Sequence, residues 1–314
     1  MLPSDIVPVG DLIAGVSEKI GAVHTRAYPY SAGISDWERV FSLWQNFKPT
    51  AVFAAPGVIR ELTKIAMLRG TLTELASSVK VVLMLGEVTS DALRNRIASW
   101  WDCLAVNASY GSTETGTLAA GCRLGRLHLL VKANYFEVYT QDGKLIPLDN
   151  AILEEPNALV AGRLVVTPLN GFARPLLRYD TGDEITIGEP CGCKIEEPSI
   201  RIHGRSSDAL ALGDRSIYVE ELEELIYEKT SALGYVVQLD DMQAPSRARI
   251  LLERQPSNSN TIEDSETVRL IEELKSAIPA IPLDAVWLNN LPANSRSGAA
   301  LKSWKASNVR VGEW

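Results

Sequence analysis

Three short apolar runs, TAVFAAP (50–56), KVVLMLGE (80–87) and CLAVNAS (103–109), alternate with two segments of helical period, GVIRELTKIAMLRG (57–70) and SDALRNRIASWWD (90–102). The runs are β-rich and too short for helices, whereas the segments between them carry apolar residues three and four apart. That alternation is the rhythm of a parallel sheet covered by helices. Two more helical patterns, GDLIAGVSEKIG (10–21) and SDWERVFSLWQNF (35–47), come before it.

From about Arg126 the texture changes to strands: RLHLL (126–130), YFEVYTQDGKLIPL (135–148), GRLVVTPL (162–169) and PLLRYDTGDEITIG (175–188), with QDGK as a hairpin turn. After IRIHGRSSD (200–208) a third texture begins, with a charged helix VEELEELIYEKTSA (219–232), strands YVVQLD and ARILLER, a helix VRLIEELKSAI and a strand DAVWLNN. The expected fold is α/β: a parallel sheet with flanking helices plus a β-rich subdomain, followed by a small α+β C-terminal domain. Boundaries fall at 1–203, divided into 1–120 and 121–203, and at 204–314, with the joint near Gly204.

Hydrophobic residues make up 46% and charged residues 22% of the 314, ordinary values for a globular chain with a sizeable core. A net charge of −8 argues against nucleic acid or an anionic membrane as a partner. No apolar run reaches membrane-spanning length and the opening lacks secretory-signal features, so the expected location is the cytoplasm. Four cysteines are too few for a disulfide scaffold and point instead to metal or redox chemistry.

The stretch ASYGSTETG (108–116) follows the third apolar run. A Gly/Ser/Thr turn at a strand's carboxyl end is where open α/β sheets place ligands. Its amides and the hydroxyls of Ser112 and Thr113 suit an anion, and Glu114 suits a hard cation such as Mg²⁺. A polar loop capping a sheet is the plain alternative. RYDTGDE (178–184) reads as a second acid-bearing turn, in which Asp183 suits a pair of sugar hydroxyls. Its plain alternative is a solvated β-turn.

Taken in order with HGRSSD and the small domain behind it, these motifs resemble the adenylate-forming superfamily of acyl-CoA synthetases, adenylation domains and luciferases. Within it they are most similar to the phenylacetate-CoA ligase branch, from DLIAGVSEKIGA almost to the C-terminus. The resemblance implies a two-step reaction. A carboxylate and ATP give an acyl-adenylate and pyrophosphate, and the acyl group then passes to a thiol such as that of CoA or an acyl carrier. It also implies that Thr113 contacts the α-phosphate and that Glu114 positions magnesium. Asp183 takes the ribose, Arg205 approaches from the domain joint, and Gly86, Glu87, Tyr110, Gly111 and Ser112 line the nucleotide slot. An uncharged acyl or aryl tail is expected against Ala55, Pro56, Ile59, Leu85 and Ala108.

Three departures from the family pattern qualify this. No Ser/Thr/Gly-rich phosphate loop precedes YGSTE, so an N-terminal region is expected to be missing or supplied by a separate chain. In LPANSRSGAALKSW (291–304), Gly298 is followed by Ala299 where the family has a Gly-Lys pair, which leaves Lys302 as the nearest candidate for the catalytic lysine. Ser207 stands where a hinge acid is common. The expected function is a carboxylate-activating ligase, incomplete or partner-dependent. The alternatives are an ATP-independent enzyme on an acyl derivative, or a non-catalytic protein that binds AMP or an acyl-adenylate.

Cys122 and His128 are separated by five intervening residues, and Cys191 and Cys193 flank a glycine. If the strands near them share one subdomain, the four side chains can meet as a closed Cys₃His zinc site; the phenylacetate-CoA ligase branch is similar here. Otherwise Cys122 is a core filler and the Cys-Gly-Cys pair is two surface thiols. His24 and His203 read as packed histidines, Trp100 and Trp101 as core, and the acidic run VEELEELIYE as a solvated helix face.

Overall fold

In the computed structural model, β1 (Ala51–Ala54), β2 (Val81–Met84) and β3 (Leu104–Asn107) pair in parallel in that order. The structure describes residues 1, 9–30, 33–87, 89–148, 159–213, 215–256, 262–278, 281–292 and 308–312. Helices α1 (Val9–Lys19) and α2 (Trp37–Phe47) precede β1, while α3 (Pro56–Leu68), the short α4 (Leu72–Ala76) and α5 (Asp91–Trp101) form the crossovers. Local chemistry sets the ends. The Asp36 carboxylate accepts the Arg39 N–H at 2.9 Å to cap α2, Pro56 opens α3, and the Ser90 hydroxyl accepts the Leu93 N–H at 3.2 Å to cap α5. Trp101 is fully buried and donates its indole N–H to Thr63 at 2.8 Å, while Trp100 packs partly buried against the same core.

The chain then passes into an eight-stranded sheet of order β4-β5-β6-β11-β10-β9-β7-β8, whose neighbouring strands are antiparallel. Its strands are β4 (Ser109–Ser112), β5 (Gly116–Gly121), β6 (Leu127–Leu129), β7 (Asn134–Tyr139), β8 (Leu145–Pro147), β9 (Val160–Pro168), β10 (Tyr179–Ile187) and β11 (Ser199–Arg205). The sheet thus begins at Ser109, ahead of Arg126, because Gly/Ser/Thr-rich strands carry no apolar alternation to betray them. The two sheets touch where Gly121 crosses Asn107. The Gly121 N–H donates to Ala108 at 2.9 Å, and a Cβ on Gly121 would stand 1.7 Å from the Asn107 carbonyl oxygen.

Beyond β11 come the hairpin β12 (Leu210–Leu212) and β13 (Arg215–Ile217), helices α6 (Val219–Lys229) and α7 (Glu263–Ala277), and a mixed sheet of order β16-β15-β14-β17. Its strands are β14 (Gly234–Leu239), β15 (Ala248–Glu253), β16 (Leu283–Leu288) and β17 (Val309–Val311). One apolar cluster runs through both α/β parts and joins Val40, Met84 and Trp101 to Ile226, Tyr235 and Leu252. The antiparallel sheet has its own core around Leu118, Phe136 and Ile185.

Two readings need correcting. The acidic run of α6 is not a solvated face: Glu220 and Glu223 are buried, and the helix lies against α5. Its carboxylates find N–H and guanidinium partners on other elements, which no local pattern reveals. His24 is exposed rather than packed. Among the described residues, no helix is long and apolar enough to cross a membrane.

Candidate functional site

The two acid-bearing stretches differ from simple turns. Residues 113–115 form the tip of the β4–β5 hairpin, and the Ser112 hydroxyl accepts the N–H groups of Glu114 and Thr115, each at 3.2 Å. Asp183 lies within β10, just after a bulge where Gly182 takes a φ of 74°. The left-handed backbone there skips a ladder position and turns Asp183 towards the hairpin. The Tyr110 hydroxyl donates to the Asp183 carboxylate at 2.6 Å, and the Arg205 guanidinium lies 3.7 Å from its other oxygen. Burial and the facing carboxylate raise the Tyr110 phenol well above its usual value, so it stays a donor.

A cleft of about 780 Å³ opens between the parallel sheet, the antiparallel sheet and the small domain. Of the expected nucleotide residues, Gly86, Glu87, Tyr110, Gly111, Ser112, Asp183 and Arg205 all line it. Thr113 and Glu114 stand exposed at the hairpin tip, outside that lining, and the Arg174 guanidinium donates to the Glu114 carbonyl at 3.1 Å. Pro56 reaches the cleft wall. Ile59 sits wholly inside the main core, and Ala55 and Leu85 are buried in an apolar cluster with Tyr28, against which Ala108 packs. Of the expected acyl-pocket residues, Ala55, Ile59 and Leu85 are thus buried in apolar clusters while Ala108 is half-buried; a small residue at a strand end is as useful for close helix packing as for binding. Gly298, Ala299 and Lys302 lie outside the described residues.

His203 was read as a packed residue, but it lines the cleft, sharing a hydrogen bond of 2.9 Å with the Thr186 hydroxyl and standing 3.6 Å from Glu220. Arg201 binds the same Glu220 at 2.7 Å, and burial of that carboxylate is outweighed by His203 and Arg201, which lower its pKa. An alternating pattern could not have placed His203, because the pairing of β11 with β10 slips by one residue there, between Ile202 and Gly204.

At the other end of β10 and β11 the four metal-type residues converge. Their ligand atoms lie within 4.8 Å of one another. The Cys122 and Cys191 sulfurs are 3.7 Å apart, against the edge of about 3.8 Å that tetrahedral bonds of ~2.3 Å to zinc would set. The Cys193 sulfur is 3.3 Å from His128 Nε2. His128 Nδ1 lies 2.6 Å from the Glu197 carbonyl oxygen, which holds the proton on that side and leaves Nε2 as the ligand. The Ile195 N–H points at the Cys193 sulfur at 3.3 Å. Burial alone would push the Cys122 thiol up, but neighbouring N–H groups and His128 bring it down to about 7. The donor set fits a closed, four-coordinate soft-metal site.

No family model matches the sequence, and no curated protein does. Solved structures do match. A 2-hydroxyisobutyryl-CoA ligase in its postadenylation state, bound to an adenylate, aligns with a TM-score of 0.72 at 16% identity over 95% of this chain and 61% of that one. The chain has the adenylate-forming fold. The same ligase scores 0.54 in an open conformation and 0.53 in its thioesterification state, over 97% and 98% of this chain. A benzoate CoA ligase from Burkholderia xenovorans LB400 matches at 0.52 with 17% identity over 82% of this chain and 51% of that one. An O-succinylbenzoate Coenzyme A synthetase from Bacillus subtilis, in complex with AMP, matches at 0.52 with 18% identity over 92% of this chain and 56% of its own. The chain thus spans 64% or less of the length of these neighbours.

Proposed function

We propose that the cleft holds the nucleotide half of an acyl-adenylate, and that the chain serves a carboxylate-activating, adenylate-forming ligase of the phenylacetate-CoA ligase type. The observation that carries this reading is the convergence of Tyr110, Asp183 and Arg205 on one cleft with the Ser112 hairpin. Asp183 would accept both ribose hydroxyls, and Tyr110 and Arg205 would hold its charge in place meanwhile. The Thr113 hydroxyl and the hairpin amides would meet the α-phosphate, and Glu114 would supply one carboxylate to a magnesium ion that offsets phosphate charge.

In the first step a carboxylate oxygen attacks the α-phosphorus of ATP and pyrophosphate leaves. In the second a thiol attacks the acyl carbon and AMP leaves. A cationic side chain near the α-phosphate favours the first step by opposing the charge that builds there; Lys302 is the candidate. A zinc ion held by Cys122, His128, Cys191 and Cys193 would have a structural role, because four protein ligands leave it no open position.

Calorimetry on the full chain tests the nucleotide reading. AMP is expected to bind at least as tightly as ATP, since Tyr110, Asp183 and Arg205, which line the cleft together, would address the ribose rather than the β- and γ-phosphates. Absence of AMP binding would overturn it. Acid-dependent exchange of pyrophosphate into ATP tests the activity separately, and Lys302→Ala should lower that exchange while sparing AMP binding.

A further inference from the structure

Segment 122–128, which joins β5 to β6, belongs to two sites at once. Its ends supply Cys122 and His128 to the metal-type cluster, while Gly125, Arg126 and Leu127 between them line the cleft that Asp183 and Arg205 also line. The turn closes on itself, with the Cys122 N–H donating to the Arg126 carbonyl at 2.8 Å and the Gly125 N–H to the Cys122 carbonyl at 2.9 Å. Two arginines fasten it outwards. Arg94 of α5 donates to the Gly125 carbonyl at 2.7 Å, and Arg126 pairs at 2.8 Å with Glu189, close before Cys191. A Cβ on Gly125, whose φ is 82°, would meet the Arg94 guanidinium, so the approach of α5 requires a glycine there. Beyond the turn, Leu127 and His128 pair with Ile200 and Ser199 at one end of β11, and Arg205 at its other end pairs with Asp183.

We infer that a metal ion on the cluster also holds this wall of the cleft, so that metal and cleft ligand strengthen each other's binding. The backbone sets the frame, and an ion would add a cross-link from Cys122 and His128 to Cys191 and Cys193, partners 65 to 69 positions away in sequence. An ion that binds the closed turn and not an opened one makes opening rarer. The cleft wall then keeps its shape for a larger fraction of the time, and a ligand that needs that shape binds more tightly. Linkage makes the effect reciprocal: the factor by which the ion raises the ligand's affinity is the factor by which the ligand raises the ion's. The inference rests on the metal reading of the cluster, and on the nucleotide reading only where AMP serves as the probe.

Hydrogen exchange tests it on the full chain, zinc-loaded and stripped of zinc by a chelator. The Cys122 and Gly125 amides, whose acceptors lie inside the turn, should exchange at least about tenfold faster without zinc, while β14 and β15 keep their protection. Calorimetry should find AMP about two- to tenfold weaker without zinc, and zinc tighter by the same factor when AMP is present. Equal exchange at both amides with and without zinc would overturn the inference, as would an AMP affinity that ignores zinc or a chain that takes up no zinc. If AMP binds neither form, the nucleotide reading fails and the turn amides alone decide. Should stripping zinc unfold the antiparallel sheet, Arg94→Gln is compared with wild type, both zinc-loaded. That variant loosens the turn from α5 and touches no metal ligand, so zinc should pass to a chelator about two- to tenfold faster. An unchanged rate overturns the inference.

Discussion

The strands β10 and β11 carry a different site at each end, and the two are built on opposite terms. At one end Asp183 pairs across the ladder with Arg205; at the other, His128 of β6 pairs with Ser199. The metal-type cluster is held by its own backbone, with a carbonyl behind His128 and an N–H in front of Cys193. The end proposed for the nucleotide is held by side chains that satisfy one another, Tyr110 on Asp183 and Arg205 beside it. A site of the first kind is a frame set before any ion arrives. A site of the second kind must exchange internal hydrogen bonds for bonds to ligand, so its affinity is a difference between two similar quantities.

The largest expected effect lies at the metal end. Cys193→Ser should weaken zinc binding by at least about 100-fold, on the view that four ligands share an apparent binding energy of ~10–16 kcal/mol. Elemental analysis should fall from about one zinc per chain to nearly none, and a purified wild type without zinc would break the contrast. At the nucleotide end, Asp183→Ala should weaken AMP by about 10- to 100-fold, as expected for a lost charged hydrogen bond. Calorimetry showing an unchanged affinity would remove Asp183 from the site. Tyr110→Phe should cost only about two- to tenfold, since water can replace the phenol at Asp183 once AMP leaves. A loss as large as that of Asp183→Ala would mean that Tyr110 itself touches the ligand.

The smallest effect belongs to the contact between α6 and α5. Burial raises the Glu223 carboxyl above its usual value, against the opposing pull of the Ser90 N–H and Arg60. Arg60 in turn would be lowered by its burial, but Tyr227 and Glu223 hold it above its usual value. A carboxyl raised in the folded state stabilises fully below its unfolded pKa and loses that contribution as pH rises through the folded pKa. Wild type should therefore gain stability relative to Glu223→Gln between pH 7 and about pH 4.5 in thermal melts. A gain in the opposite direction would show that Arg60 dominates.

What the sequence made legible followed distance along the chain. The helices with Asp36 and Ser90 at their starts announce themselves, because cap and apolar stripe are local signals. So do the strands of β1 to β3. The residues proposed for a nucleotide stood out only as an ordered set of motifs, each with a plain alternative. The β4–β5 hairpin was hidden by its glycines and hydroxyls, and α4 by its brevity. The Glu223 contact to Ser90 spans 133 positions, so an acidic helix surface and a buried docking face looked alike. Ile59, expected near the acyl tail, is buried in the main core: an apolar residue beside a strand end does not declare which side of the sheet it faces.

Gly121 sets a limit that no contact does. Its missing side chain lets the antiparallel sheet pass directly over Asn107, itself a residue of the cleft wall. Even one methyl group would drive the two sheets apart like a shim under a door, moving Tyr110 and Asp183 on one leaf away from Gly86 on the other. The spacing between the halves of the cleft is thus set at this crossing beside its wall. Gly121→Ala is a change that could leave every binding group in place and still spoil their registration.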